Sequence, residues 1–203
     1  MSNNHLVQPF RALTPIPEYA QEVIAPPYDV VNIEEAKAIA ENKPYSFLRI
    51  SRAELELDND KNPYSSAVYQ RAAANLSALR DKGILIQDSL PSYYIYRISN
   101  NIHIQTGIAV AASIDAYKAN KIKKHELTRA SKEKDRINQI STTLAQSGPV
   151  MLVNRHIAEL SSLLSDIAKE SKPTIQAKIE GWNHQIWPVS DQPTLEKCSD
   201  LIN

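Results

Sequence analysis

Lys121-Ile122-Lys123-Lys124-His125-Glu126-Leu127-Thr128-Arg129, followed after two residues by Lys132-Glu133-Lys134-Asp135-Arg136, is the densest run of reactive side chains in the sequence. Basic groups outnumber acidic ones seven to three with histidine left out, and the same stretch carries His125, Glu126 and Thr128. Guanidinium and ammonium groups suit an oxyanion, most simply a phosphate. On a helix beginning after Ser131, the residues Lys132, Asp135, Arg136, Gln139 and Thr143 share one stripe. Ile137, Ile140 and Leu144 fall on a neighbouring stripe, which is expected to anchor the helix. The competing reading is a solvated helix start with i,i+4 pairs, and composition alone favours it. The stretch has no interleaved aromatics, which argues against single-strand nucleic-acid binding.

A second segment, Ile24-Ala25-Pro26-Pro27-Tyr28-Asp29-Val30-Val31, sets a phenol and a carboxylate directly after two prolines. A rigid backbone there can hold both groups on a stiff edge near a ligand. Its competing reading is a proline turn whose Asp29 helps to cap the following helix. Asp58-Asn59-Asp60-Lys61-Asn62 opens like a calcium loop, but Pro63 stands where the sharp turn needs glycine and Tyr69 where the bidentate glutamate belongs. Histidines at 5, 103, 125, 156 and 184 form no pair at metal-ligand spacing, and Arg129 stands where a zinc-protease motif starting at His125 needs its second histidine. No metal site is expected from these residues.

Elements of ordinary globular kind must hold these groups in place. The 203 residues balance 23 Lys and Arg against 23 Asp and Glu, so no net field attracts nucleic acid or an anionic membrane. The single cysteine, Cys198, excludes an internal disulfide and fits a reducing compartment. With no export signal and no apolar run long enough to span a bilayer, the cytoplasm is the expected location. Four glycines, at 83, 107, 148 and 181, cannot assemble a Gly-x-Gly-x-x-Gly turn or a Walker-type loop.

The proline-rich start predicts an extended entry with short strands at 6–7 and 23–25. Asn32 with Glu35 predicts a capping box and a helix ending before Pro44. Residues 46–50 read as a strand. Asn62, Pro63 and Gly83 punctuate a helix over 63–82. Strands follow at 84–86, 93–98 and 102–114, with a hairpin turn at 99–101. A helix over 131–147, a short buried strand at 150–153, a helix over 157–169 and strands at 174–179 and 185–189 complete the pattern. Hairpins mix with helices without β-α-β alternation, which predicts one α+β domain over 1–203 with a largely antiparallel sheet and packed helices. Residues 193–203 start a helix with Leu195, Cys198, Leu201 and Ile202 apolar and no capping residue at its end. That helix is expected either to continue in a longer parent or to pack on a partner chain.

The two segments resemble those of the bacterial and archaeal family known as domain of unknown function 1015. The resemblance extends over Pro9-Phe10-Arg11-Ala12-Leu13, Ala25-Pro26-Pro27-Tyr28-Asp29-Val30-Val31, Asn42-Lys43-Pro44-Tyr45-Ser46-Phe47-Leu48-Arg49-Ile50 and Gly83-Ile84-Leu85. It continues through Tyr94-Ile95-Tyr96-Arg97, Thr106-Gly107-Ile108 and Ile122-Lys123-Lys124-His125-Glu126-Leu127-Thr128, with Lys132 and Asp135-Arg136. Members are usually about twice as long, and an Asp-Gly-His-His-Arg motif opens their second half, reminiscent of ParB-like folds that include free-serine kinases. That motif is not in this sequence, so the resemblance implies an N-terminal half or a short form.

By analogy with such kinases, a ParB-like fold and phosphoryl transfer to a free amino acid or similar hydroxylated metabolite are implied. In that reading Lys132, Arg136 and Thr128 hold phosphate. Glu126 or Asp29 takes the acceptor's proton, and His125 orients or donates. Arg11, Tyr28 and Asp135 contact substrate, while ATP or ADP with magnesium supplies the phosphate. The isolated chain is then expected to be inactive. Two other functions are open: a non-catalytic module that binds a nucleotide or phosphometabolite, and an interaction domain using residues 193–203. No specific nucleic acid and no membrane are expected as partners.

Overall fold

The computed structural model describes residues 5–57, 62–124 and 127–203. The chain is α+β, and its backbone contacts gather into two compact units. One, a sheet unit, comprises Met1–Pro17, Gln87–Glu126 and Val153–Asn203; the other, a helical unit, comprises Glu18–Ile86 and Leu127–Leu152. In chain order the strands are β1 (Val7–Gln8), β2 (Leu13–Pro15), β3 (Leu85–Gln87), β4 (Tyr93–Ser99), β5 (Ile104–Ala109), β6 (Ala111–Ala112), β7 (Ile175–Ile179) and β8 (Trp182–Val189). The helices are α1 (Ala20–Val23), α2 (Ile33–Ala40), α3 (Leu48–Ser51), α4 (Ser66–Asp81), α5 (Ile114–Lys118), α6 (Ala130–Thr143), α7 (Ala158–Glu170) and α8 (Gln192–Ile202).

The sheet unit is built on four antiparallel strands in the order β5-β4-β8-β7, with β1 and β6 forming a separate antiparallel pair. β4 lies at the centre because Tyr93, Tyr94 and Ile95 bury on both faces of the pleat. Tyr93, Ile95, Trp187 and Val189 pack with Leu160, Leu164 and Ala168 of α7, which recur every fourth residue and so share one helical face. Leu195 and Cys198 of α8 complete this core, with Leu201 and Ile202 packed against it. Leu195 and Cys198 are thus buried within their own unit, while Leu201 and Ile202 stay partly exposed. Burial, followed by a hydrogen bond to Asp88, pushes the Tyr94 phenol up to about 12.

Turn chemistry fixes the register of both hairpins. Asn100 Oδ1 accepts from the backbone N–H groups of Ile102 and His103, closing the β4–β5 turn. Between β7 and β8, Glu180 and Gly181 both have positive φ, at 49° and 83°, the conformation that suits the right-handed twist of a two-residue hairpin. This turn lets β8 begin at Trp182, three residues before the expected start at 185.

α8 opens with Asp191, whose Oδ1 accepts from the Thr194 N–H at 3.0 Å. Bonding to the Thr194 side chain, then to its backbone, holds the Asp191 carboxyl below the usual carboxylate range. Because the folded pKa is depressed, this stabilisation is complete above the unfolded value of about 4 and disappears as pH falls through the folded value. Asp191→Ala is expected to cost about 1 kcal/mol at neutral pH. Urea unfolding at neutral pH and at pH about 2 checks this: the wild-type advantage should vanish at the lower pH.

The helical unit packs α4 against α3 and α6. α4 buries Val68, Tyr69, Ala72, Leu76 and Leu79, and α2 buries Ala36 and Ala40 beside Leu48. The expected capping box is present: Asn32 Oδ1 accepts from the Glu35 N–H and Glu35 Oε2 from the Asn32 N–H.

Several expectations are corrected. The strand expected over 46–50 is not formed: Leu48–Ser51 is one helical turn, in which Ser51 N–H bonds Phe47 O, and the Arg49 guanidinium reaches back to the carbonyls of Ala40 and Lys43. Val23 ends α1 instead of starting a strand. α4 begins after Ser65, whose Oγ accepts from Val68 N–H, so Asn62 and Pro63 precede the helix. The strand expected over 102–114 is instead two strands in different sheets, β5 and β6, broken at Val110, and β6 stops at Ala112 because Ser113 caps α5. The residues Val150, Met151, Leu152 and Val153 are exposed and not in a strand. No described helix is long and apolar enough to cross a membrane. The calcium-like run at 58–61 lies outside the described residues.

Candidate functional site

Within the helical unit, the turn after Pro26-Pro27 comes to the N-terminal half of α6. Val30 N–H bonds Pro27 O at 3.3 Å, which closes a tight turn and leaves Tyr28 and Asp29 at its tip. Arg52 fixes this tip: its Nη1 donates to the carbonyls of Tyr28 at 2.9 Å and Val31 at 2.7 Å. Glu54 Oε1 in turn accepts from Arg52 Nε at 2.6 Å, with both side chains largely buried. A planar guanidinium is suited to this fork, since its donors lie at fixed angles.

α6 contributes the facing wall. Asp135 is buried and accepts on one carboxylate oxygen from Tyr69 Oη at 2.9 Å and on the other from Arg136 Nη2 at 2.7 Å and Nε at 3.2 Å. Burial, then the hydrogen bond to Asp135, raises the Tyr69 phenol above its usual value, so Tyr69 is the donor in this contact. The Arg136 Cζ lies 4.0 Å from the centroid of the Tyr28 ring, and Lys132 Nζ lies 5.9 Å from it. A cation over an aromatic face is attracted by the ring quadrupole, so α6 and the proline turn are tied by cation–π contacts as well as by packing.

These groups line a cleft of about 200 Å³, together with Ser51, Pro63, Tyr64, Val68 and Gln139. Three cationic side chains, Arg52, Lys132 and Arg136, meet three acidic ones, Asp29, Glu54 and Asp135. Two cations are already paired, Arg52 with Glu54 and Arg136 with Asp135. Lys132 and Asp29 form no ion pair among the described residues. Arg136 is held on one face by Tyr28 and on one edge by Asp135, which leaves its Nη1 donors without a described partner.

The residues singled out from sequence divide as follows. Tyr28, Asp29, Lys132, Asp135 and Arg136 come together at this cleft. Thr128 belongs to the same unit, is exposed and does not line it. Arg11 belongs to the sheet unit, where its Nε donates to the Asp88 carbonyl at 2.8 Å. His125 and Glu126 lie outside the described residues. Sequence reasoning passed over Arg52, Glu54 and Tyr69. Arg52 and Glu54 carry no local signal, while Tyr69 could have been found by its position on the same α4 face as Val68 and Ala72 with a hydroxyl that needs a partner once buried.

The polar stripe of α6 also faces opposite to expectation. Asp135 and Gln139 are buried, whereas Ile137, Ile140 and Leu144 are exposed. The helix is anchored through its polar side, Gln139 Nε2 donating to the Ile50 carbonyl at 3.0 Å.

Among known proteins, no curated protein and no solved structure matches the chain. The segments that carry Tyr28, Asp29, Lys132, Asp135 and Arg136 all fall within residues 7–203, the span that matches the family model described as Protein of unknown function (DUF1015), and the chain belongs to that family.

Proposed function

We propose that the chain binds a small phosphorylated or hydroxylated metabolite in the cleft between the Tyr28 turn and α6, as the recognition half of a phosphotransferase-like site. One observation supports this above all: two stretches a hundred residues apart in sequence meet round one cleft, with the Lys132 ammonium and the free edge of the Arg136 guanidinium available there. Arg136 is immobilised by Tyr28 and Asp135, so little side-chain entropy is lost when it bonds a guest. An anionic group on the guest takes hydrogen bonds from Lys132 and Arg136.

Binding is the part of this reading that the described residues support. Phosphoryl transfer draws in addition on His125 and Glu126 and on the likeness of longer relatives to ParB-like kinases. In that extension Asp29 or Glu126 accepts the hydroxyl proton of the acceptor as its oxygen attacks phosphorus, and a nucleotide leaves with the displaced oxygen. Magnesium takes most of its ligands from phosphates and water, so it would need few from the chain. Among the described residues no three His, Cys, Asp or Glu side chains gather to hold a metal. Magnesium would come with the nucleotide.

Calorimetry of the full chain with inorganic phosphate and with ethyl phosphate tests the reading. Arg136→Ala is expected to weaken binding about tenfold, the loss of roughly one charge-assisted hydrogen bond. A flat trace for the wild-type protein with both anions, or affinity unchanged in Arg136→Ala, would remove it.

A further inference from the structure

We infer that the guest of this cleft carries a cationic centre as well as an anionic one: it is a small primary amine bearing a phosphate or a carboxylate. The inference rests on the proposed anion-binding role of the same cleft and adds to it the charge pattern of the lining. Of six ionised side chains, four neutralise one another in the Arg52–Glu54 and Arg136–Asp135 pairs, at 2.6 and 2.7 Å. What remains is one cation, Lys132, and one anion, Asp29, neither in an ion pair among the described residues.

A guest with negative charge alone would satisfy Lys132 and the free edge of Arg136 but would bring its charge toward Asp29. Like charges held close in a partly desolvated cleft repel. An aminated anion has no such conflict. Its acidic end bonds Lys132 and Arg136, and its ammonium bonds Asp29, a carboxylate that Arg52 holds at the tip of a proline-stiffened turn through the neighbouring Tyr28 carbonyl. The cleft, about 200 Å³, suits a molecule of this size. Asp29 thereby becomes the group that selects among anions.

The test compares O-phosphoethanolamine with ethyl phosphate, and β-alanine with propionate, by calorimetry on the full chain. Each aminated probe should bind at least about tenfold tighter than its amine-free counterpart. In Asp29→Asn, whose side chain is exposed and bears no structural hydrogen bond among the described residues, the aminated probe of the pair that binds should fall to the level of its counterpart. Affinity for the counterpart should rise, because the carboxylate that repels it is gone. The stronger pair tells whether phosphate or carboxylate is the acidic end. Equal wild-type affinity for aminated and amine-free probes overturns the inference while leaving the anion-binding reading in place, and this comparison needs no variant. Absence of binding by all four probes overturns both.

Discussion

Asp135→Ala is expected to destabilise the helical unit by about 3 kcal/mol, the low end of the cost of breaking a buried charge pair. The reasoning starts from the two donors that the change would orphan. Tyr69 is buried, and its hydroxyl has Asp135 Oδ1 as acceptor at 2.9 Å; without it a buried O–H loses its partner. Arg136 would lose its ion pair, but about a quarter of its side chain is exposed, so water can solvate part of the charge and the upper end of the range is not reached. Tyr69→Phe removes donor and hydroxyl together and leaves the Asp135–Arg136 pair intact, so its cost should be nearer 1 kcal/mol. Both tryptophans, Trp182 and Trp187, belong to the sheet unit, so the helical unit is followed by far-UV circular dichroism in urea. A shift for Asp135→Ala no larger than that for Tyr69→Phe would show that the Arg136 pair contributes nothing measurable.

The same carboxylate joins stability to the proposed function. Asp135 holds the edge of Arg136 that points away from the free donors, and Tyr28 holds its face. An arginine fixed in this way presents its remaining donors in one direction, which is what anion recognition needs and what a solvated helix start would not supply. Composition favours the solvated reading for charged helix starts in general. Here Asp135 and Gln139 are buried, and the stripe they occupy is an interior one.

How much of this was legible depends on whether the determinant was local. The capping box at Asn32, the helical spacing in α4 and the β-branched and tyrosine content of β4 are written within a few residues and were read to within a few positions, whereas the alternation over 102–114 did not show that this strand breaks after Ala109. The meeting of Tyr28 and Asp29 with Lys132 and Arg136 was implied by the family resemblance and not by either segment alone. The parts that hold them were not. Arg52 bonds carbonyls 24 and 21 residues away, and no pattern in the flanking sequence marks a side chain for that task. Residues 46–50 have apolar Phe47, Leu48 and Ile50, a run too short for periodicity to tell strand from helix. The decision lay with Arg49, which bonds carbonyls at the end of α2. Val150-Met151-Leu152-Val153 reads as a buried strand by composition alone, yet strand formation needs a neighbouring ladder as well as β-branched residues.

α6 is where local pattern and tertiary structure diverge most, and it yields the second large effect. Gln139→Ala is expected to cost about 2 kcal/mol, whereas Leu144→Ser should change stability by less than about 0.5 kcal/mol. A hydrophobicity pattern would predict the reverse, since the leucine belongs to the apolar stripe. Gln139 is 3% exposed and its Nε2 donates to the Ile50 carbonyl, which has no intrahelical partner because α3 ends at Ser51. Truncation removes that donor, leaves a buried acceptor unpaired and opens space beside α3. Leu144 is 87% exposed and adopts the left-handed conformation at the helix end, with φ 54°, so its side chain buries little. Leu144→Gly should even stabilise, because glycine adopts positive φ without the steric penalty that leucine bears. Urea midpoints for the three variants, read by far-UV circular dichroism, order them. If Leu144→Ser proves the costlier change, α6 is held by its apolar stripe after all, and the inward orientation of Asp135 and Arg136 that defines the cleft is lost with it.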